Sequence, residues 1–256
     1  MPPDFERHSQ LFIRAMRSWT GPGISESPEL ILSEEEVAEL ERFSTVMSFP
    51  AKGSRLFAQG GNGDFLYLLQ EGVVMSDHGN GKGHGRQIMG FHWPGDLFGL
   101  AEHNRYVYSA EAVTPATVRL FPRDRLAQFL LLHPQLQEAF LVKAVHDLRS
   151  LQRQFIVMGR FDVAGRLAAF LLDCAAHEQY FDAAKSILKV PMSRADIADY
   201  LGTVSETVTR AFGRLEEEGA IRRTGPKRLF LDMQKLNKET STETVSAPYE
   251  APRSTA

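Results

Sequence analysis

The residues of this chain with the clearest chemical potential are a glutamate, a threonine and an arginine near its C-terminal end. Glu206, Thr209 and Arg210 are spaced i, i+3 and i+4, so they would share one face of a helix. An arginine can donate two hydrogen bonds to a guanine edge, and a glutamate can accept one from a cytosine amine. We therefore predict that these residues and Ser205 read base edges of DNA. The alternative is a polar helix face that meets only solvent.

The chain around these residues is predicted to form two short helices joined by a tight turn. Ser193 is a suitable N-cap for the first helix, and Gly202 suits the left-handed residue that ends it. The second helix should run from about residue 204 to 218, where apolar residues recur with helical spacing. In a helix-turn-helix, the second helix enters the major groove while the first crosses the backbone. The inward-facing residues are predicted to be Val208, Ala211, Phe212 and Leu215.

A basic segment after the second helix is predicted to form a β-hairpin wing that turns at Gly225-Pro226. Its four basic residues have no acid between them in the sequence, which favours contact with phosphates. Such contacts position a protein on DNA without reading the sequence. The predicted backbone contacts are Thr203, Arg214, Arg222, Arg223, Lys227 and Arg228.

The composition is that of an ordinary globular protein, with 43% hydrophobic and 24% charged residues among 256. The net charge is −3, so affinity for DNA must come from a local basic patch such as the wing. The sequence contains neither an apolar run long enough to span a membrane nor an evident signal peptide, and we expect a cytoplasmic protein. The single cysteine, Cys174, excludes an intramolecular disulfide and a cysteine-ligated iron–sulfur cluster within one chain. It is predicted to be a buried structural thiol.

The N-terminal half differs from the C-terminal half in the pattern of its apolar residues and glycines. Ser33 and Glu36 form a capping-box pattern that opens a helix. Short apolar or alternating runs between residues 49 and 122, separated by glycine-rich turns, predict an antiparallel roll or jelly roll. The polar segment 77–86 is expected to be a mobile loop within it.

A short helix over residues 123–132 and a long one from Pro134 to about Gly159 should follow the roll. The long helix carries apolar residues in a seven-residue repeat, which is typical of a dimer seam. The alternative is a helix that packs on its own domain. The predicted seam residues are Leu141, Ala144, Leu148, Leu151, Phe155 and Met158.

The overall prediction is an α+β protein with a hinge near Gly159 and with Asp162 as the N-cap of the next helix. The expected parts are an N-terminal extension (1–30), a β-roll domain (31–133), a dimerisation helix with hinge (134–160), a winged helix-turn-helix (161–236) and a disordered tail (237–256).

This order of elements, together with four motifs, resembles the CRP/FNR superfamily of bacterial transcription regulators. The motifs are Gly60 with Gly72 in the roll, PGDLFG at 94–99, FDVAGRLA at 161–168 and SETVTR at 205–210. Residues 191–202 look most like the FNR/FixK branch. The resemblance implies a cyclic nucleotide-binding-like roll, a homodimer and a regulator, expected to be an activator, that contacts RNA polymerase in the bacterial nucleoid. It also implies control of low-oxygen or nitrogen-oxide-related genes.

Departures from the family pattern predict that cyclic nucleotides do not bind tightly. Cyclic-AMP-responsive members carry a Gly-Glu-Leu segment for the ribose and an Arg-Ser pair for the phosphate. The matching residues here are Gly99-Leu100-Ala101 and Tyr108-Ser109, so the ribose acceptor and the cation are both missing. The degenerate pocket thus comprises Gly99, Leu100, Tyr108 and Ser109. Arg105 lies nearby at the wrong spacing for the motif.

Sensing through an oxidisable cysteine is disfavoured by the sequence, whereas sensing of haem or another ligand is left as an alternative. Ser193 stands where some FixK-like proteins have an oxidisable cysteine. We expect no metal site and no cofactor, although histidines at 78, 84, 92 and 103 keep a haem- or other ligand-gated regulator as an alternative. A cupin-like metal enzyme is a further alternative, and it is disfavoured because the sequence contains no His-x-His. A third alternative is a ligand-binding adaptor whose helix-turn-helix contacts only protein.

The resemblance also suggests which DNA sequence is read. Glu206 and Arg210 match the residues that read a core GA step and its complement. Ser205 replaces the additional arginine of CRP-type readers, and Thr209 takes the place of a serine that faces a thymine in FNR- and FixK-type readers. The implied site is TTGAT-N4-ATCAA.

Overall fold

The computed structural model describes residues 33–79 and 86–240, and these divide into two compact units. The first contains the described residues up to Ile156 together with Pro191–Gly202, and the second contains Val157–Val190 and the described residues from Thr203 onwards. The expected N-terminal extension, His84 and the tail from residue 241 lie outside the described residues.

The first unit opens with helix α1 (Glu34–Phe43), which begins as predicted. The backbone N–H of Ser33 donates to Glu36 Oε2 over 2.7 Å, and the N–H of Glu36 donates to Ser33 Oγ over 3.2 Å. This reciprocal pair satisfies two N–H groups that have no partner within the helix.

The roll that follows consists of two four-stranded antiparallel sheets, with strand orders β1-β10-β3-β6 and β2-β9-β4-β5, and a hairpin of β7 and β8. The first strand begins at Thr45, before the predicted start of the roll at residue 49, and β6, β7 and β8 are only two residues long and too short to show alternation in the sequence. The strands are β1 (Thr45–Phe49), β2 (Arg55–Phe57), β3 (Phe65–Glu71), β4 (Val74–His78), β5 (Gln87–His92), β6 (Leu97–Phe98), β7 (Ala101–Glu102), β8 (Arg105–Tyr106), β9 (Ser109–Ala112) and β10 (Ala116–Pro122).

Aromatic side chains fill the space between the two sheets. The ring of Phe57 lies 4.0 Å from that of Tyr106 and 5.0 Å from that of Tyr67, and Tyr67 lies 5.4 Å from Phe98. Burying one such ring contributes about 1.5–3 kcal/mol. The roll interior is therefore a packed core.

Helices α2 (Arg123–Leu132) and α3 (Pro134–Arg160) follow the roll, close to the predicted bounds. A second apolar cluster joins α1, α2 and the start of α3 to the sheet that contains β3 and β10. Its buried members are Val37, Leu40, Leu66, Leu68, Phe121, Leu126, Phe129 and Leu136.

Helix α5 (Arg194–Leu201) also belongs to the first unit. Ser193 is its N-cap, as predicted, and forms a capping box with Asp196. Gly202 ends the helix with a φ of 65°, a left-handed conformation that glycine adopts without steric cost.

The second unit surrounds helix α4 (Val163–Ala175), which packs against α6 (Ser205–Glu217) and α7 (Met233–Thr240). Its antiparallel sheet has the order β11-β12-β14-β13, in which the hairpin of β11 and β12 was not predicted. The expectation of a disordered tail from residue 237 is wrong for residues 237–240, because α7 continues through them. The strands are β11 (Phe181–Asp182), β12 (Ile187–Lys189), β13 (Ile221–Gly225) and β14 (Arg228–Leu231).

Cys174 is buried in α4 as predicted, and burial raises the pKa of its thiol well above the ordinary value. Among the helices of the described ranges, none combines the length and apolar character needed to cross a membrane.

Candidate nucleic-acid interface

Helix α6 separates an apolar face from a polar one. Val208, Ala211, Phe212 and Leu215 are buried, as predicted. The side chains predicted to read bases lie on the other side, near the N-terminal end of the helix. Glu206, Thr209 and Arg210 are exposed and Ser205 is half-buried. The structure thus brings the predicted reading residues together on an accessible surface.

Two hydrogen bonds within α6 restrict this surface. The hydroxyl of Thr209 donates to the backbone carbonyl of Ser205 over 2.8 Å, so its proton is engaged while its methyl group and lone pairs remain available. Arg210 Nη2 donates to Thr207 Oγ1 over 3.2 Å. Thr207 was not predicted as a functional residue. Its i, i+3 spacing from Arg210 was the signal that could have identified it, because such residues are neighbours on a helix surface.

The predicted β-hairpin wing forms, but its turn lies at Pro226-Lys227, one residue later than the predicted Gly225-Pro226, because β13 continues through Gly225. Arg222, Arg223, Lys227 and Arg228 are all exposed. Arg223 Nη2 nevertheless lies 3.2 Å from Glu216 Oε2, so α6 supplies an acid that the local sequence did not reveal. The guanidinium of Arg222 lies 5.3 Å from the centre of the Phe230 ring, a cation–π contact that holds the charged group in place on the exposed surface of the wing.

Arg214 was predicted to contact a DNA phosphate, and its surroundings do not support that role. Its guanidinium lies 2.6 Å from Asp162 Oδ2, 2.8 Å from Glu218 Oε1 and 3.4 Å from Glu239 Oε2. A cation with three carboxylate partners offers no net positive charge to a phosphate. We assign Arg214 to the cluster that links α4, α6 and α7. The remaining predicted backbone residue, Thr203, is half-buried just before α6.

The N-cap of α4 belongs to the same cluster. Asp162 accepts a hydrogen bond from the backbone N–H of Gly165 over 2.9 Å, as predicted for a helix N-cap. That bond, and secondarily Arg214, holds the pKa of the Asp162 carboxyl below its ordinary value, although partial burial acts in the opposite direction.

The apolar seam predicted on α3 is exposed in the single chain. Leu141, Ala144, Leu148, Leu151 and Phe155 are exposed, and Phe155 reaches 81%. Met158, the sixth seam residue, is half-buried. Packing of this stripe against the chain's own domain was the alternative interpretation, and the exposed side chains do not support it.

The segment that matches the nucleotide pocket is held by hydrogen bonds within the chain. The Gly99 N–H donates to the Tyr108 hydroxyl over 2.7 Å, and Arg123 Nη2 donates to the Gly99 carbonyl over 2.5 Å. Gly99 has a φ of 91°, and a Cβ there would lie 2.7 Å from a ring atom of Tyr67. Only glycine therefore fits at this position without displacing the aromatic core.

The four pocket residues differ in exposure and in their hydrogen-bond partners. Leu100 is 61% exposed, whereas the buried Ser109 accepts a hydrogen bond from the Gln59 N–H over 3.0 Å. Arg105, the nearby cation, donates to the Gly60 carbonyl and to Asn62 Oδ1. These polar groups are thus engaged within the protein.

The described histidines are dispersed. His78 Nε2 lies 3.1 Å from Gln59 Nε2, and the ring centres of His92 and Phe98 lie 4.7 Å apart. The side chain of His103 is almost fully exposed. Within residues 33–79 and 86–240, no group of three or more His, Cys, Asp or Glu side chains is arranged to hold a metal ion.

Comparison with known proteins agrees with this architecture. The family model of the Crp-like helix-turn-helix domain matches residues 165–239, and that of the cyclic nucleotide-binding domain matches residues 49–133. The nitrogen fixation regulation protein FixK of Bradyrhizobium diazoefficiens is 33% identical over 190 residues, which cover 74% of this chain and 79% of FixK. The transcriptional activatory protein AadR of Rhodopseudomonas palustris is 34% identical over 183 residues, covering 72% and 76% of the two chains.

Among solved structures, FixK2 from Bradyrhizobium japonicum superposes with a TM-score of 0.70 at 30% identity, covering 78% of this chain and 98% of FixK2. The predicted α+β fold, with an antiparallel roll, a long helix and a winged helix-turn-helix, is confirmed. The matched family consists of transcription regulators and not of enzymes, so the cupin-like alternative is excluded. The chain belongs to the CRP/FNR family of DNA-binding transcription regulators.

Proposed function

We propose that this chain is a homodimeric regulator that reads a TTGAT-N4-ATCAA-like palindrome and activates transcription from it by contacting RNA polymerase in the bacterial nucleoid. The observation that carries the proposal is the exposed group of Glu206, Thr209 and Arg210 on α6. Arginine and glutamate are suited to the guanine and cytosine of a GA step and its complement. The methyl group of Thr209 suits a thymine.

The exposed stripe on α3 supports the dimer. A palindrome requires two reading helices related by a two-fold axis, and a symmetric pair of long helices supplies that axis. Leu148, Leu151 and Phe155 are more than half exposed in the single chain. Burying each of them against a second copy would contribute about 1.5–3 kcal/mol.

The target genes are inferred from the relatives. FixK is named as a regulator of nitrogen fixation, and AadR as a transcriptional activator. The name of AadR supports an activator, and the name of FixK supports a regulator of nitrogen metabolism. The resemblance to the FNR/FixK branch suggests genes for low-oxygen or nitrogen-oxide-related metabolism.

We also propose that the protein reads DNA without a cyclic nucleotide or another cofactor. The Gly99 N–H donates to the Tyr108 hydroxyl, and Arg123 donates to the Gly99 carbonyl. Aromatic rings occupy the space between the sheets. Opening this region for a nucleotide would sacrifice that packing. The dispersed positions of His78, His92 and His103 give the haem-gated alternative no favourable arrangement.

Fluorescence anisotropy with protein purified in air, without added ligand, tests the proposal. Three labelled duplexes would carry TTGAT-N4-ATCAA, a TGTGA palindrome and a scrambled sequence, each measured at two salt concentrations. We expect selective binding to the first, with a stoichiometry of two chains per duplex. Equal affinity for all three would refute the proposed specificity. Binding that appears only after haem or a cyclic nucleotide is added would refute the effector-free part.

A further inference from the structure

A buried arginine of the roll holds one side of helix α5, the first helix of the helix-turn-helix. Arg86 immediately precedes β5, and both Arg86 and α5 belong to the first unit. Its side chain is only 4% exposed. Arg86 Nη2 lies 3.5 Å from Asp196 Oδ1, and its Nε lies 3.6 Å from Asp199 Oδ2. One guanidinium thus faces two carboxylates that are three residues apart on α5.

Neighbouring side chains extend this contact. Gln87 Nε2 donates to the backbone carbonyl of Asp199 over 2.7 Å. That carbonyl lies in the last turn of α5, where carbonyl groups have no partner within the helix. The ring of Phe91 lies 5.4 Å from that of Tyr200. The contact therefore combines charge, a backbone hydrogen bond and aromatic packing.

A buried carboxyl of the roll also lies in the electrostatic field of Arg86. Asp77 in β4 is 1% exposed, and neither of its carboxylate oxygens accepts a hydrogen bond from the described residues. Burial raises the pKa of this carboxyl, while Arg86 and Arg55 act in the opposite direction. Segment 77–86 was expected to be a mobile polar loop. That expectation is wrong for Asp77, which lies in β4, and for Arg86, which is buried just before β5, whereas residues 80–85 lie outside the described residues.

The charged groups around Arg86 come from both partners. The roll contributes Lys52, Arg55, Asp77 and Glu111. Lys52 Nζ lies 3.6 Å from Asp196 Oδ2, and Arg55 Nη2 lies 3.6 Å from Glu111 Oε2. Burial raises the pKa of Asp199, and Arg86 opposes that shift. Because several charges are removed from water together, each of them depends on a partner.

The sign of the charges indicates what this contact does. Asp196 and Asp199 give one side of α5 a negative charge that DNA phosphates would repel. The roll covers that acidic side, so its contact with α5 does not compete with DNA for the helix. A contact that masked basic side chains would instead be inhibitory.

We propose that Arg86 is a positioning residue for DNA reading, which anchors α5 on the roll and so orders the helix-turn-helix before DNA arrives. The inference rests on the proposed reading of DNA by α6. Only Gly202, Thr203 and Val204 separate α5 from α6 in the chain, so the proposal requires that anchoring α5 restricts the motion of the first residues of the reading helix. A helix-turn-helix that is already ordered loses less conformational entropy when DNA binds, so its affinity for DNA is higher.

The variant Asp199→Asn tests this proposal in the full-length protein. It removes one charge that faces Arg86 and keeps the size of the side chain. Asp182→Asn is the matched control, because Asp182 is an exposed acid that contacts Lys185 and not the roll. Neutralising an acid ordinarily strengthens DNA binding through electrostatics. We expect the opposite for Asp199→Asn, a Kd for the TTGAT palindrome raised about tenfold, which corresponds to about 1.4 kcal/mol.

Hydrogen exchange without DNA supplies an independent measurement. We expect faster exchange of the amides of α5 in Asp199→Asn, with β3 and β10 unchanged, and no such change in Asp182→Asn. Arg86→Met should have a larger effect, and the double variant with Asp199→Asn should lose no more than Arg86→Met alone. If Arg86→Met fails to fold, Asp199→Asn still decides the question.

The results distinguish this proposal from the proposed function. Unchanged exchange in α5, or unchanged or tighter DNA binding by Asp199→Asn, overturns the positioning role. A wild-type protein that does not prefer the palindrome refutes the proposed specificity instead, while exchange of α5 still reports whether Arg86 anchors it.

Discussion

Arg214 Nη1 and Asp162 Oδ2 lie 2.6 Å apart, joining the last turn of α6 to the residue that caps α4. Glu218 and Glu239 approach the same guanidinium from α6's C-terminal end and from α7. One side chain thus connects three helices of the second unit. Because it is about half exposed, solvent weakens each of these ion pairs.

Replacing Arg214 by methionine should destabilise the second unit more than it affects DNA reading. Exposed ion pairs contribute about 0.2–1 kcal/mol each, so we expect the free energy of unfolding to fall by about 1–2 kcal/mol, less at high salt. Chemical denaturation at two salt concentrations measures this. Lys238→Met removes an exposed cation from α7 and is the control. If Arg214→Met has normal stability but binds all DNA sequences more weakly, Arg214 contacts a DNA phosphate after all.

The cap at Asp162 should make stability depend on pH in a known direction. Its pKa is lowered in the folded protein, chiefly by the Gly165 N–H. The carboxylate therefore stabilises the fold above the ordinary aspartate pKa of about 3.9, and this contribution disappears as the pH falls through the lowered value. Asp162→Ala should cost about 1 kcal/mol at neutral pH and progressively less in acid. A difference that grows in acid would contradict this.

The sequence was informative wherever a local pattern determines local structure. The capping box of Ser33 with Glu36, the Ser193 cap and the left-handed Gly202 could be predicted, because each depends on residues at most four apart. The apolar face of α6 was predictable from its helical period, and the exposed reading residues followed from it.

Contacts between segments distant in the sequence were not predictable. Arg214 is 52 residues from Asp162, and Arg86 is more than a hundred from Asp196. The local pattern around Arg86 is polar and indicated a loop, since its burial depends on α5. In the same way, Glu216 was not predicted to pair with Arg223, because the partner lies on the preceding helix and not within the wing.

Arg210→Ala should abolish the preference for the palindrome over the scrambled sequence. A bidentate arginine–guanine contact contributes about 1–3 kcal/mol of discrimination. Thr207→Val removes the hydroxyl that accepts from Arg210 while keeping its shape, so we expect a smaller loss of selectivity there. Anisotropy on both duplexes measures the ratio of affinities. Equal losses on specific and scrambled DNA for Arg210→Ala would refute its assignment as a base-reading residue.

Two substitutions at the wing should change DNA binding in opposite directions. Arg222→Ala should weaken binding to every sequence alike and reduce the slope of log K against log salt by about one. Glu216→Gln releases Arg223 from its carboxylate partner, so it should strengthen binding generally and steepen the slope. Titrations over a range of salt concentrations measure both effects. If Glu216→Gln has no effect, Arg223 does not approach a phosphate.

Leu148→Glu should convert the protein to a monomer and abolish binding to the palindrome. Leu148 lies in the middle of the exposed stripe on α3, and a carboxylate there would have to be buried without a partner in each copy. Sedimentation equilibrium measures the mass, and anisotropy measures the binding. Ser150→Glu adds the same charge on the opposite side of α3, because two residues turn a helix by about 200°, and it should leave both properties unchanged. A dimeric Leu148→Glu would show that the two copies associate through a different surface.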